Sequence, residues 1–161
     1  MIRRPPRSTR KESSAASDVY KRQDQNTCDL ALEASIKALS MAELKPEDID
    51  LIILSTTTPD KIFPATATIL QNRLGASCPA FDLQAVCAGF VFALTTAQQY
   101  IENGAAKNIL VIGSETMSRI VDWNDRSTAI LFADGAGAVI LSADNNTGIK
   151  HSKLYLSLIH I

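Results

Sequence analysis

From position 24 to position 143 the apolar residues of this chain switch repeatedly between two spacings. In DQNTCDLALEASIKALSMAEL (24–44), Leu30, Ala31, Ala34, Ile36, Ala38, Leu39 and Met41 recur mainly at three- and four-residue intervals. That spacing lays an apolar stripe along one face and predicts a helix over 25–42, with Asn26 or Thr27 as its cap. Lys45–Ile49 reads as a turn, with Pro46 suited to open a short helical turn. DLIILST (50–56) is apolar without alternation, the mark of a strand covered on both faces. ATATILQNRLG (65–75) predicts a helix closed by Gly75. CPAFDLQ (78–84) is a second strand, 87–103 a long helix ending at Gly104, and KNILVIGSE (107–115) a third buried strand. DRSTAILF (125–132) is ambiguous and is read as a short helical turn. GAGAVILSA (135–143) is a last strand with a glycine-loosened start.

Wholly apolar strands alternating with helices specify a layered α/β domain built on a largely parallel sheet. No internal repeat or linker interrupts 24–155, which reads as one unit. The 161 residues suffice for one domain with a real core, and no apolar run is long enough to cross a bilayer.

Charge separates the first residues from the rest. Residues 1–23 hold seven basic and two acidic side chains, a net of +5, and the remainder nine and fifteen, a net of −6. A domain that acidic lacks the cationic footprint of a nucleic-acid binder. The Arg- and Ser-rich start would suit a disordered arm or a transit peptide, but Pro5-Pro6, Glu12 and Asp18 argue against an amphipathic targeting helix. RSTRKESSAASDVYKRQ and the terminal LSLIHI look instead like translated sequencing-adapter read-through. Residues 1–23 and 156–161 are therefore expected to be non-native and to carry no function.

Three cysteines, Cys28, Cys78 and Cys87, with no Cys-x-x-Cys pair and only His151 and His160 beside them, exclude a disulfide framework. They also argue against a structural zinc site and suggest a reducing, cytoplasmic setting. Cys87 stands apart by its position. FDLQAVCAGFVFAL (81–94) places it where a buried strand gives way to a helix. In α/β sheets ligands gather at the carboxyl ends of strands. A thiol at a helix N-terminus feels unpaired amides that favour thiolate, the nucleophilic form. Ala88 and Gly89 would leave the approach to sulfur open, and the Cys87 amide could help hold an oxyanion. Against this stands the general habit of free cysteine, which mostly just packs. Cys28 and Cys78 are assigned that plainer role, one early in a surface helix and the other at a strand entrance.

AFDLQAVCAGFVFAL (80–94), followed by LVIGSETMSRIVDWNDRSTAILFADGAGAVIL (110–141), resembles the nucleophile half of the β-ketoacyl-acyl-carrier-protein synthase III family of thiolase-fold condensing enzymes. The likeness runs from about Asp24 to Tyr155. Its second signature, Phe132–Ala138, departs from the family pattern at Ala133, where glycine is commonest. The resemblance implies one half of an α/β/α thiolase-like fold with a mixed, mostly parallel sheet. It implies an acyltransferase of fatty-acid synthesis. Cys87 would take an acyl group from acyl-CoA and condense it with malonyl-acyl-carrier protein, without cofactor or metal. Arg126 matches an arginine that lies against the CoA adenine; on its own it would read as a solvated surface residue. Phe63 matches a phenylalanine that enters the partner subunit's acyl pocket in a homodimer; on its own it would read as core. Asp134–Gly137 resemble a tight turn near the active-site floor, needed for backbone shape. Trp123 is expected as partly exposed packing near the CoA mouth.

The family pattern also includes a histidine and an asparagine from a second half. His151 and His160 match neither, so this sequence is expected to acylate itself at most and not to condense. A half-fold would expose sheet edge and apolar surface, predicting poor solubility. Other readings remain: a homologue making a secondary metabolite, a non-catalytic partner subunit (against which the intact Cys87 counts), or a plain α/β binding module.

Overall fold

The computed structural model describes residues 24–144 and 148–155. The stretches expected to be non-native, 1–23 and 156–161, and with them His160, lie outside the described residues.

Helix α1 (Thr27–Ala42) starts at the Asn26 cap, where Asp29 reaches back to accept the Asn26 N–H at 2.7 Å, one arm of a capping box. A single 3-10 turn (Pro46–Asp48) leads to β1 (Leu51–Ser55). Helix α2 (Thr66–Leu74) and β2 (Ala80–Leu83) follow. A 3-10 turn (Val86–Ala88) then runs directly into α3 (Gly89–Glu102). Next come β3 (Asn108–Glu115), a 3-10 turn (Met117–Arg119), the one-turn α4 (Arg126–Ala129) and β4 (Gly135–Ser142).

The strands form one sheet in the order β2-β1-β3-β4. β1 lies parallel to both neighbours, with Ile53 opposite Phe81 on one side and Val111 on the other. β4 closes the sheet antiparallel to β3, with Val139 opposite Val111. Consecutive strand residues point to opposite faces, so the unbroken apolar run of β1 feeds two cores. Ile52, Leu54, Leu110 and Ile112 pack under α1 and α2, against Ala31, Leu39, Ala67 and Leu70. Leu51, Ile53, Ile109 and Val111 pack under α3, against Ala93 and Ala97. The result is the expected three-layer α/β/α arrangement. Complete burial of each of these Ile, Leu and Val side chains contributes about 1.5–3 kcal/mol.

The element ends are set by contacts across the fold. Ala65, the cap of α2, offers no side-chain acceptor. Asp82 on β2 supplies it instead, accepting the Thr66 and Ala67 N–H groups at 2.8 and 2.7 Å. At the other end of the sheet Asp50 accepts the N–H groups of Lys107 and Asn108 at 2.7 and 2.9 Å, joining the starts of β1 and β3.

Two expectations are corrected. Asp134–Gly137 is no tight turn. Gly135 begins β4, Gly135 and Gly137 pair with Glu115 and Gly113, and neither glycine adopts a positive φ. Asp134 instead grips the Met117–Arg119 turn, accepting the Ser118 N–H at 2.8 Å and its hydroxyl at 2.7 Å. Cys28 takes the packing role assigned to it, fully buried on the side of α1 that faces the sheet. The helix expected from residue 87 begins at Gly89, and Cys87 sits in the tighter turn ahead of it.

Candidate active site

Cys87 lies where the carboxyl ends of the parallel strands converge. β2 ends at Leu83, whose carbonyl accepts the Thr56 N–H at 3.1 Å, tying it to the end of β1. The chain then has five residues, Gln84 to Ala88, in which to reverse before α3 begins. Val86 makes that reversal with φ at +49°, in the left-handed region. For a β-branched residue this is a true outlier and stores strain.

Two close approaches hold α3 so near the sheet that the turn must be this sharp. A Cβ on Gly89 would stand 2.1 Å from Ser55 Oγ, so only glycine lets the helix rest on the end of β1. At the next residue, the Phe90 ring lies over Gly113 of β3, whose Cβ position would be 3.3 Å from it. Gly89 was expected to open the approach to sulfur. Its role in the structure is this seat for the helix.

The thiol of Cys87 is exposed, at the edge of a cleft of about 450 Å³. Ser55 and Thr57 from the end of β1, Val86 and Phe90 around the elbow, and Glu115 and Met117 at the end of β3 form its inner walls. Leu131–Ala133 and Gly135–Gly137 form the side nearest β4. The lining is mainly apolar. Such a space suits an aliphatic group attached at the sulfur better than a charged one.

Glu115 is the charged group of the cleft, and sequence reasoning missed it. Its carboxylate accepts the Thr57 N–H at 2.8 Å, the Thr58 N–H at 3.1 Å and the Thr58 hydroxyl at 2.6 Å. With these donors on it, Glu115 acts as a latch on the turn after β1. The available signal was a carboxylate ending an otherwise apolar strand. Behind the latch lies a buried hydroxyl network. The Thr58 hydroxyl spends its proton on Glu115 and accepts the Thr116 N–H at 2.8 Å. Thr27 donates to the Thr58 carbonyl at 2.5 Å, so the 2.8 Å contact between Thr27 and Thr116 hydroxyls must carry the Thr116 proton. α1, the post-β1 turn and the end of β3 are thereby locked together.

The other residues singled out in the sequence lie apart from the cleft lining. Phe63 is on the loop between β1 and α2 and is 82% exposed. Arg126, also exposed, opens α4 behind the cap Asp125. The Asp125 carboxyl is held below its usual range by hydrogen bonds from the Ser127 and Thr128 hydroxyls and the Ser127 N–H. Trp123 is half-buried, its indole N–H donating to the Ser118 carbonyl at 3.1 Å. Burial pushes the Cys28 thiol up, offset in part by Arg73, and burial likewise raises Cys78. Among the described residues no cluster of His, Cys, Asp and Glu has the makings of a metal site, and no helix is long and apolar enough to cross a membrane.

A family profile for 3-oxoacyl-[acyl-carrier-protein (ACP)] synthase III matches residues 81–157. The chain is 68% identical over 136 residues to the β-ketoacyl-[acyl-carrier-protein] synthase III of Vesicomyosocius okutanii, covering 84% of this chain and 43% of that protein. Over most of its own length the chain is thus similar to members of the β-ketoacyl-[acyl-carrier-protein] synthase III family. The Neisseria gonorrhoeae member is 60% identical over 146 residues, covering 86% of this chain and 46% of its own length. Among solved structures, the Aquifex aeolicus member superposes with a TM-score of 0.75 at 48% identity, covering 76% of this chain and 40% of that one. The thiolase-like fold is thus shared with the family. The chain spans less than half the length of the curated relatives it matches.

Proposed function

We propose that this chain is the N-terminal, nucleophile-bearing half, over 24–155, of a condensing enzyme that initiates fatty-acid synthesis. The observation that carries the reading is the exposed Cys87 on its left-handed elbow, opening into an apolar cleft at the carboxyl ends of the parallel strands. The substrates are an acyl-CoA and malonyl-acyl-carrier protein, and the setting is the cytoplasm of a cell that keeps thiols reduced.

In the first half-reaction the Cys87 sulfur attacks the acyl carbonyl carbon. A new thioester forms, the bond from that carbon to the CoA sulfur breaks, and CoA leaves as its thiol with the proton that Cys87 gave up. The chain supplies the sulfur and an apolar bed for the acyl group, and no prosthetic group enters the step. Arg126 lies against the CoA adenine, a role that its exposure supports. Phe63 enters the acyl pocket of a second copy in a homodimer, a role supported by the 82% exposure of so large an apolar side chain.

The test is incubation of the chain with acetyl-CoA followed by intact-mass and peptide-mass analysis. The expected result is one acetyl group on Cys87, absent in Cys87→Ser. Acetylation spread over lysines, or equal labelling of the serine variant, would overturn the reading.

A further inference from the structure

The strained residue of the elbow is also a wall of the cleft. Val86 is 63% exposed and lines the space into which Cys87 opens, together with Phe90 and Phe132. A reversal at φ +49° is the conformation that glycine adopts without cost and a β-branched side chain resists. Glycine is present at Gly89 and Gly113, where backbone comes close to Ser55 and Phe90. At position 86 the backbone calls for glycine and the chain carries an isopropyl group. Strain retained beside a nucleophile points to a use for the side chain itself.

We infer that Val86 is a specificity-determining residue, whose isopropyl group limits the size of the acyl group that can sit on Cys87. This rests on the acyl-transfer reading above. The backbone of the turn sets the direction in which the Val86 side chain leaves it, and α3 beside it is seated on Ser55 and Gly113. An acyl group on Cys87 that turns toward this wall of the cleft meets the Val86 side chain.

The experiment compares wild type, Val86→Gly and Val86→Ala, reading the rate of Cys87 acylation by acetyl-CoA against octanoyl-CoA. The same proteins are alkylated with iodoacetamide and with N-phenylmaleimide, which report small and bulky access to the same sulfur without any CoA site. Removing the methyl groups should shift the long-to-short acyl ratio and the bulky-to-small alkylation ratio toward the larger reagent. The expected shift is about tenfold or more, as for a changed pocket wall of this size. Alanine should fall between valine and glycine. Unchanged alkylation ratios in both variants would overturn the inference. A shifted alkylation ratio with no acylation by either thioester in any variant would uphold the wall and sink the acyl-CoA reading instead.

Discussion

Gly89 rests on Ser55 so closely that a β-carbon added to the glycine would stand 2.1 Å from the serine hydroxyl oxygen and 3.4 Å from its Cβ. The first distance is impossible and the second ordinary, so the conflict is with one oxygen atom. Gly89→Ala is expected to destabilise the chain by about 1–3 kcal/mol through overpacking at a buried contact. Ser55→Ala in the same chain removes that oxygen and should restore most of the loss. Urea midpoints over the double-mutant cycle would measure the coupling, expected above about 0.5 kcal/mol. Additive losses would mean that the seat of α3 is not this contact.

Glu115 holds three donors of the turn after β1 within 3.1 Å of its carboxylate. Glu115→Ala takes the acceptor from the Thr57 N–H and the Thr58 hydroxyl, leaves the Thr58 N–H only Thr56 Oγ1, and is expected to cost about 1–3 kcal/mol. Glu115→Gln keeps one acceptor oxygen and should cost less. The loop from 56 to 65 should also become more readily cleaved by protease in the alanine variant, with the core strands unaffected. Hydrogen exchange at Thr57 and Thr58 would locate the loosening directly.

Asp50 is held below the usual carboxylate range, first by the Asn108 N–H and then by that of Lys107. Asp29 is likewise lowered, chiefly by the Asn26 N–H. A depressed pKa in the folded state means stability that is present above the unfolded value, near pH 4, and lost as pH falls through the folded one. The urea midpoint should therefore drop on acidification below about pH 4. Asp50→Asn should flatten part of that drop while lowering the midpoint at neutral pH.

The three thiols should react in the order of their exposure. Cys87 is exposed, Cys78 half-buried and Cys28 fully buried, the last two with thiols raised by burial. Peptide mapping after brief alkylation at neutral pH should find Cys87 labelled first and Cys28 only once the chain unfolds. Early labelling of Cys28 would mean that α1 does not stay on the sheet.

The exposed apolar side chains of the surface predict self-association. Ile62, Phe63, Ile120, Ile130 and Leu131 are each at least 61% exposed. Surfaces of that kind are covered in working proteins. Sedimentation at rising concentration should show association, reduced when Phe63 and Leu131 are replaced by serine.

The amino-acid sequence by itself determined the layered α/β architecture and the place of Cys87. Period-two and period-3.6 spacing are local properties, and the unalternating LIIL of β1 declared in advance that both its faces would be covered. The motif around Cys87 carried the family resemblance for the same reason: its residues are contiguous. Tertiary structure decided what depends on distance between segments far apart in the chain. Only the packed fold brings Ser55 against Gly89, forcing the left-handed turn at Val86 that no propensity would assign to valine. Only the fold turns Asp82 into the cap of a helix 15 residues earlier, and Glu115 into a latch on a turn 57 residues before it. It also drew Gly135–Gly137 into β4, because pairing with Gly113–Glu115 satisfies their backbone groups better than a turn would.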